Sequence, residues 1–242
     1  MTSLPAGLTG IVFDMDGVLV DSTEAHVQAW TRFLEERSIP PPAAGVHSLF
    51  GRRAADALAH LLDLDADSSR VRAALDDLES YADALLDGHG PGQQLIAGVP
   101  EMVEDLREAG WRLGVATSAR RHVAEHSLGA LRTAIETLVT AEDVGRGKPD
   151  PEAYLTAATR LGVPPAACLV VEDAVVGVMA GKRAGMHVAA VPTTAPTHAL
   201  RSAGADAVLD RITDLPELLA DRRTGIDRDD GRECPTPGDD DG

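Results

Sequence analysis

Four acidic side chains follow two apolar runs whose length and composition are typical of buried strands. Asp14 and Asp16 come after the first run, and Glu172 and Asp173 come after the fourth. In open parallel sheets, ligands bind beyond the carboxyl ends of the strands, so these carboxylates are expected to meet at one edge. Clustered carboxylates repel one another unless a cation lies among them, and oxygen ligands suit Mg²⁺ better than zinc. The sequence therefore predicts a Mg²⁺ site at this edge.

A lysine and two hydroxyl-bearing residues are predicted to lie at the same edge. Thr117 and Ser118 follow the second apolar run, and Lys148 stands in Gly-Lys-Pro-Asp-Pro at the start of a helix. Of the 22 basic residues only two are lysines, which suggests that Lys148 is used for its compact point charge. A metal together with this ammonium would form the positive pocket that a phosphoryl group needs. Asp14 and Asp16 could then flank one phosphorus, one attacking it and the other handling the proton of the leaving group.

Each of these segments also has a purely structural explanation. An Asp-x-Asp sequence usually marks a solvated turn, and Thr-Ser after a strand is normally a helix cap. Lys-Pro before a helix is unremarkable alone, and Glu-Asp after an apolar run could be another cap. Their occurrence together, in this order and at strand ends, favours the catalytic interpretation.

The elements that must position these residues alternate between strand and helix. Predicted helices at 100–109, 151–161 and 174–184 each end just before a glycine, which is a common C-terminal signal. This alternation predicts an α/β core with a doubly wound, Rossmann-like parallel sheet. The predicted strands are 10–13, 112–116, 138–140, 168–171, 187–191 and 207–209.

A helical stretch interrupts the alternation directly after the first strand. Asp21 and Glu24 have the spacing of a capping box at its start, and Val27, Trp30 and Leu34 form one apolar face. Its position predicts a separate α-helical cap domain inserted into the core. The predicted parts are a core at 1–20 and 93–222, a cap at 21–92, a return linker within 88–98, and a disordered acidic tail at 223–242.

The composition restricts the partners and the location of the protein. With 22 basic and 39 acidic residues the formal net charge is −17, which argues against binding to nucleic acid. No secretory signal is visible, and no apolar run approaches the ~20 residues of a membrane span, so we expect a cytoplasmic protein without a membrane partner. The expected partner is a small phosphorylated metabolite. The expected state is a monomer, with a homodimer as the alternative.

The acidic, hydroxyl and lysine segments resemble, in the expected order, the four motifs of the haloacid-dehalogenase superfamily. The similarity extends over about residues 8–191, and the insertion after the first motif resembles the subgroup with a small helical cap. Within it, the chain is similar to sugar- and polyol-phosphate phosphatases and to β-phosphoglucomutase. The matching segments are Val-Phe-Asp-Met-Asp-Gly-Val at 12–18, Ala-Thr-Ser at 116–118, Gly-Lys-Pro-Asp-Pro at 147–151 and Val-Glu-Asp at 171–173.

This resemblance implies a Mg²⁺-dependent phosphatase with a defined set of roles. Asp14 would attack phosphorus and form an aspartyl-phosphate, and Asp16 would protonate the leaving oxygen and then activate water. The Asp14 side chain, the Asp16 backbone carbonyl and Asp173 would hold Mg²⁺, with Glu172 close by. The phosphoryl group would be bound by Thr117, the Ser118 N–H and Lys148.

Other activities that this superfamily supports fit the sequence less well. Haloacid dehalogenases need no metal and typically lack the aspartate found here as Asp16, and the cap has no lysine to form a Schiff base. A sugar phosphomutase of the β-phosphoglucomutase type is the main alternative, because His26 and Trp30 stand four residues apart on the first cap helix, as in those mutases. A non-catalytic binding protein is disfavoured because every catalytic position is occupied.

Four cap residues are candidate substrate contacts. His26 and Trp30 either face the substrate, or serve as an interfacial hydrogen-bonding group and as part of the cap core. Arg52 and Arg53 follow Gly51 in a sequence that resembles sugar- and polyol-phosphate phosphatases, nearer to the glycine than the phosphate-binding arginine of the mutases. Either arginine could hold the substrate, and a solvated helix start is the alternative interpretation.

Overall fold

One sheet of six parallel strands runs through the computed structural model, which describes residues 4–86, 92 and 94–220. The strands are β1 (Gly10–Phe13), β2 (Arg112–Ala116), β3 (Thr137–Val139), β4 (Cys168–Glu172), β5 (His187–Ala190) and β6 (Ala207–Val208). They lie in the order β3-β2-β1-β4-β5-β6, so the direction of winding reverses at β1. The crevice beyond the carboxyl ends of β1 and β4 is the place where such sheets bind ligands.

Both faces of the sheet are covered, which explains why its strands are continuous apolar runs. Ile11 and Phe13 of β1 lie in one hydrophobic cluster and Val12 lies in the other, as the alternation of side chains along a strand requires. Ile11 is paired with Leu113 of β2 and with Leu169 of β4. Because β1 is held on both sides, the residues that follow it leave the sheet at a fixed position.

Helices cover the sheet and also form the insertion after β1. The α-helices in the described part of the chain are α1 (Thr23–Glu36), α2 (Ala54–Leu62), α3 (Ser69–Leu86), α4 (Val99–Glu108), α5 (Arg121–Leu128), α6 (Glu152–Leu161), α7 (Val175–Arg183), α8 (Thr197–Ser202) and α9 (Leu215–Leu219). Among these described helices, none has both the length and the apolar composition needed to cross a bilayer. The predicted α/β core with an inserted helical cap is confirmed.

The cap, formed by α1, α2 and α3, has a hydrophobic cluster of its own. Trp30 and Phe33 of α1 meet edge to face with ring centroids 6.0 Å apart, and Leu58 of α2 and Leu78 of α3 belong to the same cluster. The domain boundaries at 20/21 and 92/93 stay a prediction. The predicted tail at 223–242, and residues 88–91 and 93 of the predicted return linker, lie outside the described residues.

The capping box predicted at the start of the cap is wrong. Ser22 precedes α1, rather than Asp21, and it makes no side-chain cap to the helix. The Ser22 hydroxyl instead donates a hydrogen bond of 2.6 Å to Asp16 Oδ1. A hydrogen bond to an ionised carboxylate is stronger than one between neutral groups. The Ser22 hydroxyl therefore binds Asp16 rather than a backbone N–H at the start of α1.

Candidate active site

Three buried carboxylates meet where β1 and β4 end. The Asp14 N–H donates to the carbonyl of Val171, 2.8 Å away, so the backbone after β1 stays attached to β4. Asp14, Glu172 and Asp173 each offer a carboxylate oxygen, and these oxygens lie within 4.8 Å of one another. The structure thus brings together three of the four acidic side chains that the sequence predicts at this edge, in the crevice that the strand order creates.

Lys148 supplies a positive charge to these three carboxylates, Asp14, Glu172 and Asp173, which we call the acidic group. Its Nζ donates to Asp14 Oδ1 at 2.8 Å and to Glu172 Oε1 at 2.7 Å, and only 2% of the residue is exposed. Burial acts to lower the pKa of Lys148, but the two carboxylates raise it above its usual value, so the ammonium stays charged. The lysine chosen from the sequence by its scarcity therefore lies against the first aspartate.

Asp14 carries a strongly perturbed carboxyl group. Burial raises its pKa from 3.8 to about 7, Lys148 opposes this shift, and the neighbouring carboxylates of Glu172 and Asp16 add to it. Burial likewise raises the pKa of Asp173 well above its usual value, with Glu172 and Asp14 adding to the shift and the Thr194 hydroxyl, which donates to Asp173 Oδ2, opposing it. One ammonium thus does not neutralise three crowded carboxylates.

This donor set fits a hard divalent cation. It consists of carboxylate oxygens close together, which is the ligand type that Mg²⁺ and Ca²⁺ prefer, and it contains neither cysteine nor histidine. Burial raises the pKa values of two of the three groups, Asp14 and Asp173, and the excess of neighbouring carboxylates adds to both shifts. A second positive charge would remove that excess, so the residues present match a metal site.

Glu172 differs from the other two acids because its oxygens are already fully used. Oε1 accepts from Lys148 Nζ and from the Tyr154 hydroxyl, at 2.7 and 2.6 Å. Oε2 accepts from the backbone N–H groups of Asp173 and Ala174, at 2.9 and 3.0 Å. A carboxylate has about four lone-pair sites, and all four are taken. Glu172 as a metal ligand stays a prediction, while its observed contacts hold the lysine and the start of α7.

Tyr154 is a site residue that sequence reasoning did not find. It is fully buried on α6, its hydroxyl donates to Glu172 Oε1, and its ring centroid lies 4.9 Å from Lys148 Nζ. A buried tyrosine hydroxyl needs a partner, which is the only signal that the sequence offers. The need for a partner does not identify Glu172, which lies 18 residues further along the chain.

Asp16 lies on the wall of the site and faces the cap. Its Oδ1 accepts from Ser22 Oγ at 2.6 Å and lies 3.3 Å from His26 Nε2, and 30% of its side chain is exposed. Burial acts to raise the pKa of Asp16, but the contacts with His26 and Ser22 lower it below its usual value. The turn depends on Gly17, which has φ +74° and where a Cβ would overlap Asp173 Oδ2.

Thr117 and Ser118 follow β2 and close another side of the site. Thr117 is buried, and its Oγ1 accepts from the Ala119 N–H at 3.0 Å. Ser118 Oγ donates to the carbonyl of Gly51 in the cap at 3.1 Å. The two predicted phosphate-binding residues thus lie at the expected strand end, and the second one also joins the core to the cap.

A cavity of about 400 Å³ separates the cap from these strand ends. Its core wall includes Asp14, Asp16, Asp173 and Ser118, whereas Lys148, Glu172 and Thr117 are buried beneath it. All four predicted cap residues line the opposite side: His26, Trp30, Arg52 and Arg53. A small phosphorylated molecule placed here would be in reach of the acidic group and of the cap together.

Comparison with known proteins gives consistent matches over most of the chain. A family model described as a haloacid dehalogenase-like hydrolase matches residues 8–185. Validoxylamine A 7'-phosphate phosphatase of Streptomyces hygroscopicus subsp. limoneus is 37% identical over 208 residues, covering 84% of this chain and 94% of that protein. Hexitol phosphatase A of Escherichia coli (strain K12) is 35% identical over 192 residues, covering 78% and 85%. Beta-phosphoglucomutase of Bacillus subtilis (strain 168) is 30% identical over 217 residues, covering 88% and 94%.

Proposed function

Because this chain belongs to the haloacid dehalogenase-like hydrolase family, we propose that it is a Mg²⁺-dependent phosphatase of a sugar or polyol phosphate. One observation carries the proposal: a buried lysine holds Asp14 Oδ1 at the carboxyl end of β1, beside a cavity that suits a small metabolite. Two relatives with 35% identity or more are named as phosphatases, one of validoxylamine A 7'-phosphate and the other a hexitol phosphatase.

Asp14 is the proposed nucleophile. Its Oδ1 accepts the Lys148 hydrogen bond, so Oδ2 is the oxygen left to attack phosphorus. The new bond joins that oxygen to phosphorus, and the bond from phosphorus to the ester oxygen of the substrate breaks. The product is an aspartyl-phosphate, which splits one difficult displacement into two easier ones.

Asp16 is the proposed acid and base. In the first step it gives a proton to the leaving ester oxygen, for which it must be protonated in the substrate complex although its contacts with His26 and Ser22 lower its pKa. In the second step it takes a proton from water. Water attacks the aspartyl-phosphate, phosphate leaves, and Asp14 is regenerated as a carboxylate. Ser22 and His26 both contact Oδ1 of Asp16, which fixes the direction of the carboxylate and leaves Oδ2 for proton transfer.

The remaining proposed roles are those of the phosphate and metal ligands. Lys148, Thr117 and the Ser118 N–H bind the phosphoryl oxygens. The Asp14 side chain, the Asp16 backbone carbonyl and Asp173 are the groups that would hold Mg²⁺, with Glu172 adjacent. When bound, the ion would neutralise negative charge on the phosphoryl group and make phosphorus easier to attack.

A substrate panel tests the proposal directly. Purified protein with Mg²⁺ is offered hexitol phosphates, sugar phosphates, a cyclitol phosphate and phosphoglycolate, and released phosphate is measured. We expect the highest kcat/KM among the polyol and sugar phosphates, because the cavity has room for a carbon chain and for hydroxyl groups. A protein that releases no phosphate from any ester would contradict the proposed function.

A phosphomutase is the second candidate, favoured by the beta-phosphoglucomutase match at 30% identity and by the His26 contact with Asp16. The two activities differ in their products. Incubation with β-glucose 1-phosphate and its bisphosphate distinguishes them, because a phosphatase releases inorganic phosphate whereas a mutase accumulates glucose 6-phosphate. We expect phosphate.

Replacing Asp16 by alanine should separate good leaving groups from poor ones. We expect kcat for an alkyl phosphate to fall by roughly 10²–10⁴-fold, which is the range for general acid–base groups. With p-nitrophenyl phosphate, whose leaving group needs no proton, the variant should give a burst of one p-nitrophenol per site and then stall. Mg²⁺ affinity by titration calorimetry should stay unchanged, because Asp16 is proposed to ligate through its backbone. Equal losses on both substrates, without a burst, would exclude the acid–base role.

Mg²⁺ should stabilise the protein more at high pH than at low pH. The pKa of Asp14 is raised from 3.8 to about 7, so a proton occupies the carboxyl in the folded state below about pH 7 and competes with the metal. Above that pH, the buried Asp14 carboxylate is ionised and lowers the free energy of unfolding. Bound Mg²⁺ would offset this loss. We expect saturating Mg²⁺ to raise Tm by roughly 5–10 °C at pH 8 and by less at pH 5. Thermal unfolding measures both shifts.

The matched control for the predicted effect of Mg²⁺ on Tm is Asp173→Asn, which removes one of the three carboxylates of the acidic group. Its Tm should respond little to Mg²⁺ at either pH. The metal assignment would fail if the wild-type shift were as large at pH 5 as at pH 8, or if Asp173→Asn kept it.

A further inference from the structure

The two neighbouring arginines of the cavity wall have different contacts. Arg53 Nε and Nη2 donate to the two carboxylate oxygens of Asp56, at 2.8 and 2.9 Å, and Nη1 donates to the carbonyl of Val144 in the core at 3.3 Å. Within the described residues, Arg52 makes no ion pair, although it also lines the cavity. Each of the three guanidinium nitrogens of Arg53 thus already donates one hydrogen bond within the protein, which uses three of its five N–H donors.

The Arg53–Asp56 pair packs directly on the loop that carries Lys148. We call residues 144–148 the Lys148 loop. A Cβ added at Gly147 would lie 2.6 Å from Asp56 Oδ2 and 2.8 Å from Arg53 Cγ, closer than atoms in contact can approach. A side chain at this position would therefore separate the pair from the loop, while glycine lets the cap touch the backbone immediately before the lysine.

The cap segment around this pair also contacts the other loops of the site. Gly51 accepts the hydrogen bond from Ser118 Oγ, and a Cβ at Gly51 would lie 2.7 Å from the Cβ of Ala174. One short cap segment thus rests on the loops after β2 and β4 and on the Lys148 loop. Of these contacts, the Arg53–Asp56 pair is the one made by a charged, partly buried group.

We propose that Arg53 is a positioning residue rather than a substrate ligand, and that its pair with Asp56 couples the closed cap to the placement of Lys148 against Asp14. The inference rests on the proposed function, because the placement of Lys148 affects turnover only if Asp14 is the nucleophile. A shift of one ångström in a group that contacts the phosphoryl group can cost about 10²-fold in rate. Loss of the pair therefore lowers kcat even though neither residue touches the substrate.

Kinetics of the variants Arg53→Ala, Asp56→Ala and the double variant test this coupling. The substrates are a hexitol phosphate and acetyl phosphate, which has no hydroxyl groups for a cap residue to bind. We expect each single variant to lower kcat about tenfold or more on both substrates, and the double variant to lose no more than either single one. Two further variants should also lower kcat. Arg53→Lys keeps the positive charge but loses the planar set of donors, and Gly147→Ala keeps the Arg53–Asp56 pair but displaces it.

Backbone hydrogen exchange gives a readout that is independent of turnover. Amides of the Lys148 loop should exchange faster in Arg53→Ala and in Asp56→Ala than in the wild type. Arg107→Ala is the matched control, because Arg107 also pairs with an acid three residues away, Glu104, but this pair is exposed and lies on α4. It should change neither kcat nor this exchange.

The outcomes separate the two hypotheses. If Arg53→Ala raises KM for the hexitol phosphate alone while Asp56→Ala is silent, Arg53 binds substrate and the positioning role is overturned. Unchanged exchange of the Lys148 loop also overturns it. If the wild type hydrolyses no phosphate ester, the proposed function fails, but faster loop exchange in the two variants still supports the coupling between cap and loop.

Discussion

Asp14→Asn is expected to lower kcat for phosphate release by about 10⁴-fold or more, because an amide has no oxygen able to displace the leaving group from phosphorus. The substitution keeps the size of the side chain, and the amide oxygen can still accept the Lys148 hydrogen bond. At pH 8 without metal, the variant should unfold at the same temperature as the wild type or above it. Burial raises the pKa of Asp14 to about 7, so the ionised wild-type group carries a cost that the amide lacks.

The measurement combines phosphate release with thermal unfolding at pH 8. Asp105→Asn is the matched control, because it makes the same chemical change on the exposed side of α4. It should keep wild-type activity. If Asp14→Asn retained more than about one hundredth of wild-type kcat after correction for deamidated protein, covalent catalysis through Asp14 would be excluded.

The sheet and its strand ends could be predicted because their signal is local. Strands buried on both faces are continuous apolar runs, and the polar residues that follow them mark where they end. β1 and β2 have the predicted bounds, and each end of β3, β4, β5 and β6 lies within one residue of its predicted position. The placement of Asp14, Glu172 and Asp173 within 4.8 Å follows from those ends and from the rule that parallel strands present their carboxyl ends together.

Contacts between distant segments could not be predicted, and they decide what several side chains do. Ser22 has the right type and position for a helix cap, but its hydroxyl donates to Asp16. The two adjacent arginines look equivalent in the sequence. In the part of the chain that the structure describes, however, only Arg53 donates to a core carbonyl, 91 residues further along the chain. Tyr154 looks like any buried aromatic residue of a helix. In each case the partner is fixed by tertiary packing, which a local pattern does not encode.

Lys148→Met is expected to reduce both stability and activity. Methionine fills a similar volume without the ammonium, so Asp14 Oδ1 and Glu172 Oε1 each lose a charged donor while staying buried. Removing one partner of a buried charge pair costs about 3–5 kcal/mol. Loss of an electrostatic donor at the transferring group lowers kcat by roughly 10²–10³-fold. Denaturant unfolding and phosphate release measure the two effects.

The stability loss of Lys148→Met should grow as pH rises from 5 to 8. Lys148 opposes the raised pKa values of Asp14 and Asp173, so without the ammonium both rise further above those of the unfolded chain. Folding then takes up protons and is disfavoured as they are removed. Lys182→Met is the matched control, because Lys182 pairs with Asp206 at the partly exposed end of α7 and such a pair contributes about 1 kcal/mol or less. Two results would mean that the charge balance of the acidic group does not depend on this lysine. One is a loss in free energy of unfolding that is the same for Lys148→Met as for Lys182→Met, and the other is a Lys148→Met loss that stays constant between pH 5 and 8.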